Sequence, residues 1–191
     1  RCAILRDSPN RRAPGPDLLA YDHLKRLTVG RSNCGYAASC VAAIAFVVQR
    51  VLHGSIPAEV ARFLGSARLI ALARDDAPDG SRRCRPIAMS SVYRRLALRH
   101  GLRKDRDAIV GALVDHQLGF GLPSGAEAAV LLIEAAVELD PGVSCLALDV
   151  SNAFNTVDRD LALREAKALS PSLSNALAVL YDTPGLVVAY D

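Results

Sequence analysis

Apolar residues recur at two different spacings along this chain, and the change of spacing divides it into elements. Leu18, Tyr21, Leu24 and Leu27 recur every three residues, which predicts a short helix over 18–27 capped by Asp17. Residues 36–52 are almost uniformly apolar and predict a well-buried helix that Gly54 and Pro57 end. A short helix over 58–64 is expected next. Residues 68–74 read as a strand, with Leu69, Ile70 and Leu72 apolar and Arg at both ends. A turn rich in Asp, Pro and Gly spans 75–80, and residues 84–89 read as the returning strand. Pro86 offers no N–H to a neighbour, so that strand belongs at a sheet edge. Residues 91–103 are helical in pattern, with Val92, Leu96 and Leu102 inward and Arg94, Arg95 and Arg99 as basic positions.

The second half carries a glycine-rich loop over 119–125. Ser124 with Glu127 has capping-box spacing and predicts the start of a helix over 125–139. After the Pro141-Gly142 turn, residues 143–149 are apolar or small up to a terminal carboxylate, which predicts a central strand. Residues 158–169 suggest another helix, and 186–190 are β-like. These elements predict an α+β fold, with helices packed on antiparallel strands and one basic β-hairpin.

Size and charge sharpen this outline. A chain of 191 residues is about one ordinary domain, and its 51% hydrophobic content suffices for a core. Residues 62–106 carry twelve Lys/Arg against four acids, a local +8, whereas residues 107–191 carry three against twelve, a local −9. The switch suggests a boundary near 107, with regions 1–106 and 107–191. A basic block beside an acidic one suits a protein that holds a polyanion on one wall and cations on the other. Uneven surface charge without a ligand is the alternative.

No apolar run is expected to span a membrane, and no signal-peptide pattern follows Arg1. A start without Met suggests a segment of something longer. The five cysteines, at 2, 34, 40, 84 and 145, lack zinc-ligand spacing, and their odd number fits a reducing compartment. The expectation is an intracellular protein, nuclear or cytoplasmic, with no membrane partner.

Four features could carry chemistry. Asp149 ends an apolar run, where a carboxylate can face a polar cleft and meet a metal ion; capping the next helix is the alternative. Phe154 could pack against a nucleotide sugar and leave little room for a 2′-hydroxyl, or simply fill a small apolar cluster. Arg74 and Arg85, on opposite hairpin arms, could clamp a triphosphate through bidentate hydrogen bonds. Gln117 opens the loop Gln117-Leu118-Gly119-Phe120, where Gly119 and Gly121 allow close backbone approach and Gln117 could bond a base or another loop.

Taken in order, these motifs resemble reverse transcriptases of the non-LTR retrotransposon type. Ala13-Pro14-Gly15-Pro16-Asp17 is similar to the opening motif of the family's fingers. Residues 70–74 with Gly80 and Arg85-Pro86-Ile87 resemble the fingers hairpin, with Arg74 where the family usually has Lys. Tyr93-Arg94-Arg95-Leu96 resembles the following segment, and Gln117–Phe120 the family's Gln-x-Gly-Phe loop. Residues 148–157 resemble the first palm motif, with Asn152 and Asn155 departing from its commoner Asp-containing form.

The resemblance implies fingers over 1–106 and the first half of a palm over 107–191. It implies an Mg²⁺-dependent RNA-directed DNA polymerase that takes an RNA template, a DNA primer and deoxynucleoside triphosphates. Asp149 would be the catalytic metal ligand, with Val150 beside it at the metal and nucleotide position. Arg74 and Arg85 would hold phosphates, Phe154 would be the sugar gate, and Gln117 would line the nucleotide site. The family's glutamine-glycine loop and paired aspartates do not occur in these 191 residues. The expectation is therefore a fragment that lacks the C-terminal palm and thumb and does not polymerise by itself. The alternatives are another palm-type RNA-templated polymerase and a degenerate nucleic-acid-binding remnant.

Overall fold

The computed structural model describes residues 3–28, 35–73, 84–140, 142–151, 153–182 and 184–189. It is an α+β chain with a small mixed sheet. The chain divides into two compact units: Arg1–Leu102 with Ser172–Asp191, and Arg103–Pro171. The C-terminal stretch thus belongs with the first unit.

In the first unit, α1 (Ala3–Arg6), α2 (Tyr21–Thr28), α3 (Gly35–Leu52), α4 (Ala58–Gly65), α5 (Val92–Lys104) and α10 (Pro171–Asp182) surround two apolar clusters. Leu5, Tyr21, Leu24, Ile44, Val92 and Leu96 form one cluster. Val51, Leu64, Ala97, Ala176 and Leu180 form the other, and the partly buried Val48 and Tyr93 pack against both. The helix α2 begins at Tyr21 rather than Leu18, because Leu18 adopts a left-handed φ of 54° and Asp17 closes a turn on the Leu19 N–H instead. The helix α3 has the predicted bounds almost to the residue, but only Ile44 and Val51 are buried and Phe46 is 63% exposed. Its apolar residues exceed what one packing stripe can cover. By length and composition it is long and apolar enough to cross a membrane.

The sheet has strand order β2-β1-β3. Strands β1 (Ala67–Ala73) and β2 (Cys84–Ser90) pair antiparallel, with Ile70 opposite Ile87 and Leu72 opposite Arg85. Pro86 lies on edge strand β2, opposite Ala71 of β1, the edge position that a residue without an N–H favours. The sheet is not wholly antiparallel as expected. Strand β3 (Val187–Ala189) runs parallel to β1, with Arg68 opposite Val188. Ser66 fixes this pairing: its hydroxyl accepts from the Leu186 N–H at 2.9 Å and donates to the Arg62 carbonyl at 2.8 Å. The Ala67 N–H then donates to the Leu186 carbonyl at 2.8 Å.

The second unit contains α6 (Arg106–Leu113), α7 (Gly125–Leu139), α8 (Ala153–Thr156) and α9 (Arg159–Leu169). Helix α6 packs on α9, and the Ser170 hydroxyl donates to the Asp105 carboxylate at 2.7 Å. Asp158 caps α9 by accepting from the Leu161 N–H at 2.9 Å. Ser124 makes no such bond: it sits at a φ of 53°, and the expected capping box does not form. Gly125 lies so close to the Leu118 carbonyl that a side chain there would collide with backbone. That contact, rather than a cap, positions the start of α7.

The expected central strand over 143–149 is also absent. The segment is irregular, and Leu146 and Leu148 are 80% and 82% exposed. A strand needs a neighbour for its backbone groups and a layer for its apolar face. Among the described residues of the second unit there is no strand to supply that neighbour. Helix α7 is similarly uncovered, with Val130, Leu131, Leu132 and Ile133 all exposed.

Candidate nucleic-acid interface

Two segments singled out in the sequence meet in the first unit. Gly15 lies against the Ser90–Ser91 backbone, where an added Cβ would come within 2.5 Å of the Ser90 carbonyl carbon. Only glycine permits this approach without displacing backbone. Two residues on, Asp17 accepts from the Ser91 hydroxyl at 2.5 Å and from the Leu19 N–H at 3.1 Å. Ser91 is fully buried, and its oxygen also accepts from the Tyr93 N–H at 3.2 Å, capping α5. The 13–17 motif is therefore a latch that fastens the N-terminal segment to the β2–α5 junction. Burial, and secondarily the Asp17 charge, push the Tyr93 phenol pKa upward.

The arginines of α5 have structural partners. Arg94 donates to the Gly65 carbonyl at 3.1 Å and lies 5.5 Å from the Tyr181 ring centroid. Arg95 lies 4.9 Å from the Tyr21 ring centroid, while its buried Nε and Nη2 have no hydrogen-bond partner among the described residues. The aromatic face offsets part of the charge-burial cost. Arg99 donates to the Asp7 carbonyl at 3.1 Å. Much of the basic character of 91–103 therefore serves packing. Arg85, by contrast, is exposed on edge strand β2.

Of the remaining candidate residues, Gln117, Asp149, Val150 and Phe154 belong to the second unit. Gln117 is exposed, and its side-chain carbonyl accepts from the Gly119 N–H at 2.8 Å, so it shapes its own turn. Asp149 and Val150 lie on the exposed irregular stretch that follows α7. Phe154 falls within the single turn of α8, and its ring lies outside the described residues. Arg74 also lies outside them, as does Asn152.

The residues described around Asp149 do not make a magnesium site. Mg²⁺ favours near-octahedral oxygen coordination, and among the described residues no group of three or more Asp, Glu, His or Cys side chains could hold an ion. Asp149 offers one exposed carboxylate. Sequence reasoning overlooked the structural work of Ser66 and of the Asp17–Ser91 pair. Asp17 carried a local capping signal, but its partner is 74 positions away and no local pattern points to it.

The fold and its hairpin define an α+β chain with basic side chains on its first unit. Compared with protein-family models, curated proteins and solved structures, the chain matches none.

Proposed function

We propose that these residues are the fingers and opening palm of an RNA-directed DNA polymerase of the non-LTR retrotransposon type. One observation carries this reading: five motifs, at 13–17, 70–87, 91–96, 117–120 and 148–157, occur in the family's order. Support comes also from the β1–β2 hairpin, which presents Arg85 on an exposed edge, and from the Asp17–Ser91 latch between the first and third motifs.

In this reading Arg85 and Arg74 hold the phosphates of an incoming deoxynucleotide. Their guanidiniums stay charged and offer bidentate donors. Phe154 excludes a 2′-hydroxyl, and Gln117 rigidifies the loop beside the base. Asp149, with Val150, contributes one carboxylate to a magnesium site whose other ligands come from the family's paired aspartates. When bound, magnesium supplies charge neutralisation at the triphosphate. The residues of this chain bind and orient.

Primer extension on an RNA template tests the reading, using a product of the gene that also carries the paired aspartates. Extension with deoxynucleotides and not ribonucleotides is expected, with Phe154→Val relaxing that choice. Extension with ribonucleotides alone would indicate another palm-type polymerase. The 191-residue chain alone should extend nothing; Asp149-dependent extension by it would refute the need for the paired aspartates. A non-catalytic nucleic-acid-binding remnant is the second reading, favoured by Asn152 and Asn155. No extension of any kind, with RNA–DNA duplex binding retained, would establish it.

A further inference from the structure

We infer that α7 is a docking helix for a basic amphipathic helix of a partner protein. Ala126, Val130, Ile133 and Val137 recur at spacings of four, three and four, which sets them in one line along α7. All four are exposed, as is every side chain from Val130 to Leu139. Apolar residues at this alternation of four and three, with β-branched side chains at the inner positions, are the seam that one helix offers to another. A helix this apolar is ordinarily covered, and among the described residues this one is not.

Charge identifies the partner. Glu127, Glu134 and Glu138 each directly follow a seam residue, so they form one flank of the line. None of the three has an ion pair among the described residues. Residues 107–158 contain eight acids and neither Lys nor Arg, so the adjoining sequence supplies them no cation. An apolar line beside carboxylates selects a helix whose own apolar line is flanked by Lys or Arg, because facing charges along a helix–helix seam set partner choice.

Other occupants fit less well. The same carboxylates repel nucleic acid and anionic membrane surfaces. A cationic segment without an apolar face would leave Val130, Ile133 and Val137 in water. A second copy of α7 would bring three more glutamates and no cation. The inference stands apart from the polymerase reading, because none of these residues belongs to its proposed site.

The test follows the anisotropy of a labelled synthetic helix of two heptads, with Leu on its seam and Lys on both flanks, as the whole chain is titrated in. One control peptide scrambles the order, keeping the charge and losing the seam. Another replaces Lys with Glu, keeping the seam and reversing the charge. The wild-type chain is expected to bind the Leu/Lys helix at least about tenfold more tightly than either control. Val130→Gln/Ile133→Gln removes two seam residues and is expected to weaken binding about 30-fold or more. Glu127→Gln/Glu134→Gln is expected to weaken it about three- to tenfold at ~0.1 M salt, with the difference gone near ~1 M. Asp160→Asn/Glu165→Gln removes the same charge from exposed positions on α9 and should stay within about twofold of wild type. No binding of the Leu/Lys helix, equal binding of either control peptide, or unchanged binding by the seam variant overturns the proposal. So does equal weakening by the two acid variants. Sedimentation velocity of the chain alone and flotation with phosphatidylcholine vesicles address the other occupants. Self-association or vesicle binding that the seam variant abolishes also overturns it. Far-UV circular dichroism and Tm show whether the variants keep their fold; if the seam variant does not, the acid variants, which alter only exposed carboxylates, decide.

Discussion

Replacing Asp17 with Ala should loosen the first unit by about 2–4 kcal/mol. The carboxylate accepts from the Ser91 hydroxyl at 2.5 Å and from the Leu19 N–H at 3.1 Å. A hydrogen bond to a charged group contributes about 1.5–3 kcal/mol, and the half-buried position of Asp17 places the pair below twice that range. The larger loss is at Ser91, which is fully buried and would keep a hydroxyl proton without its partner. Asp17→Asn retains an acceptor and should cost about half as much. Ser91→Ala removes both the bond to Asp17 and the cap on the Tyr93 N–H, and should cost about 2–3 kcal/mol. A double-mutant cycle isolates the pair, with an expected coupling of about 1.5–3 kcal/mol. The readout is hydrogen exchange at the Leu96 amide, because the two units need not unfold together. A coupling indistinguishable from zero, or Asp17→Ala within about 0.5 kcal/mol of wild type, would refute the latch.

Three further outcomes follow from particular contacts. Ser66→Ala should cost about 1–3 kcal/mol and speed exchange of the Ala67 amide, because Ser66 anchors β3; unchanged exchange would remove that role. Tyr93 should give alkaline instability: its folded pKa is raised, so its contribution is complete below about pH 10 and is lost as pH rises through the folded value. Tyr93→Phe should flatten that decline, and identical denaturation profiles above pH ~10 would contradict the assignment. Leu146→Lys/Leu148→Lys should reduce self-association of the chain in sedimentation velocity, because both leucines are exposed on an uncovered apolar stretch; unchanged association would clear this segment.

Local pattern made the hairpin and most helices legible. Ile70, Ile87 and the edge proline marked β1 and β2, and the all-apolar run of α3 marked its length. What failed was partnership. The 143–149 segment has strand composition, yet composition cannot create a neighbouring strand. Ser124 and Glu127 have capping spacing, yet the approach of Gly125 to the Leu118 carbonyl sets the local backbone. The parallel pairing of β3 depends on a hydroxyl 120 residues upstream. Helix α10 had a readable signal in Pro171 and the spacing of Leu173, Ala176 and Leu180. The structural uses of Asp17, Gln117 and the α5 arginines emerged only from their contacts.

The most direct measurement compares Asp149→Asn with Asp160→Asn in RNA-templated primer extension by a gene product that carries the paired aspartates. Both substitutions remove one negative charge from an exposed position in the second unit. The polymerase account predicts that Asp149→Asn loses nearly all kcat with little change in template–primer affinity, while Asp160→Asn extends at the wild-type rate. Equal extension by the two variants would contradict it.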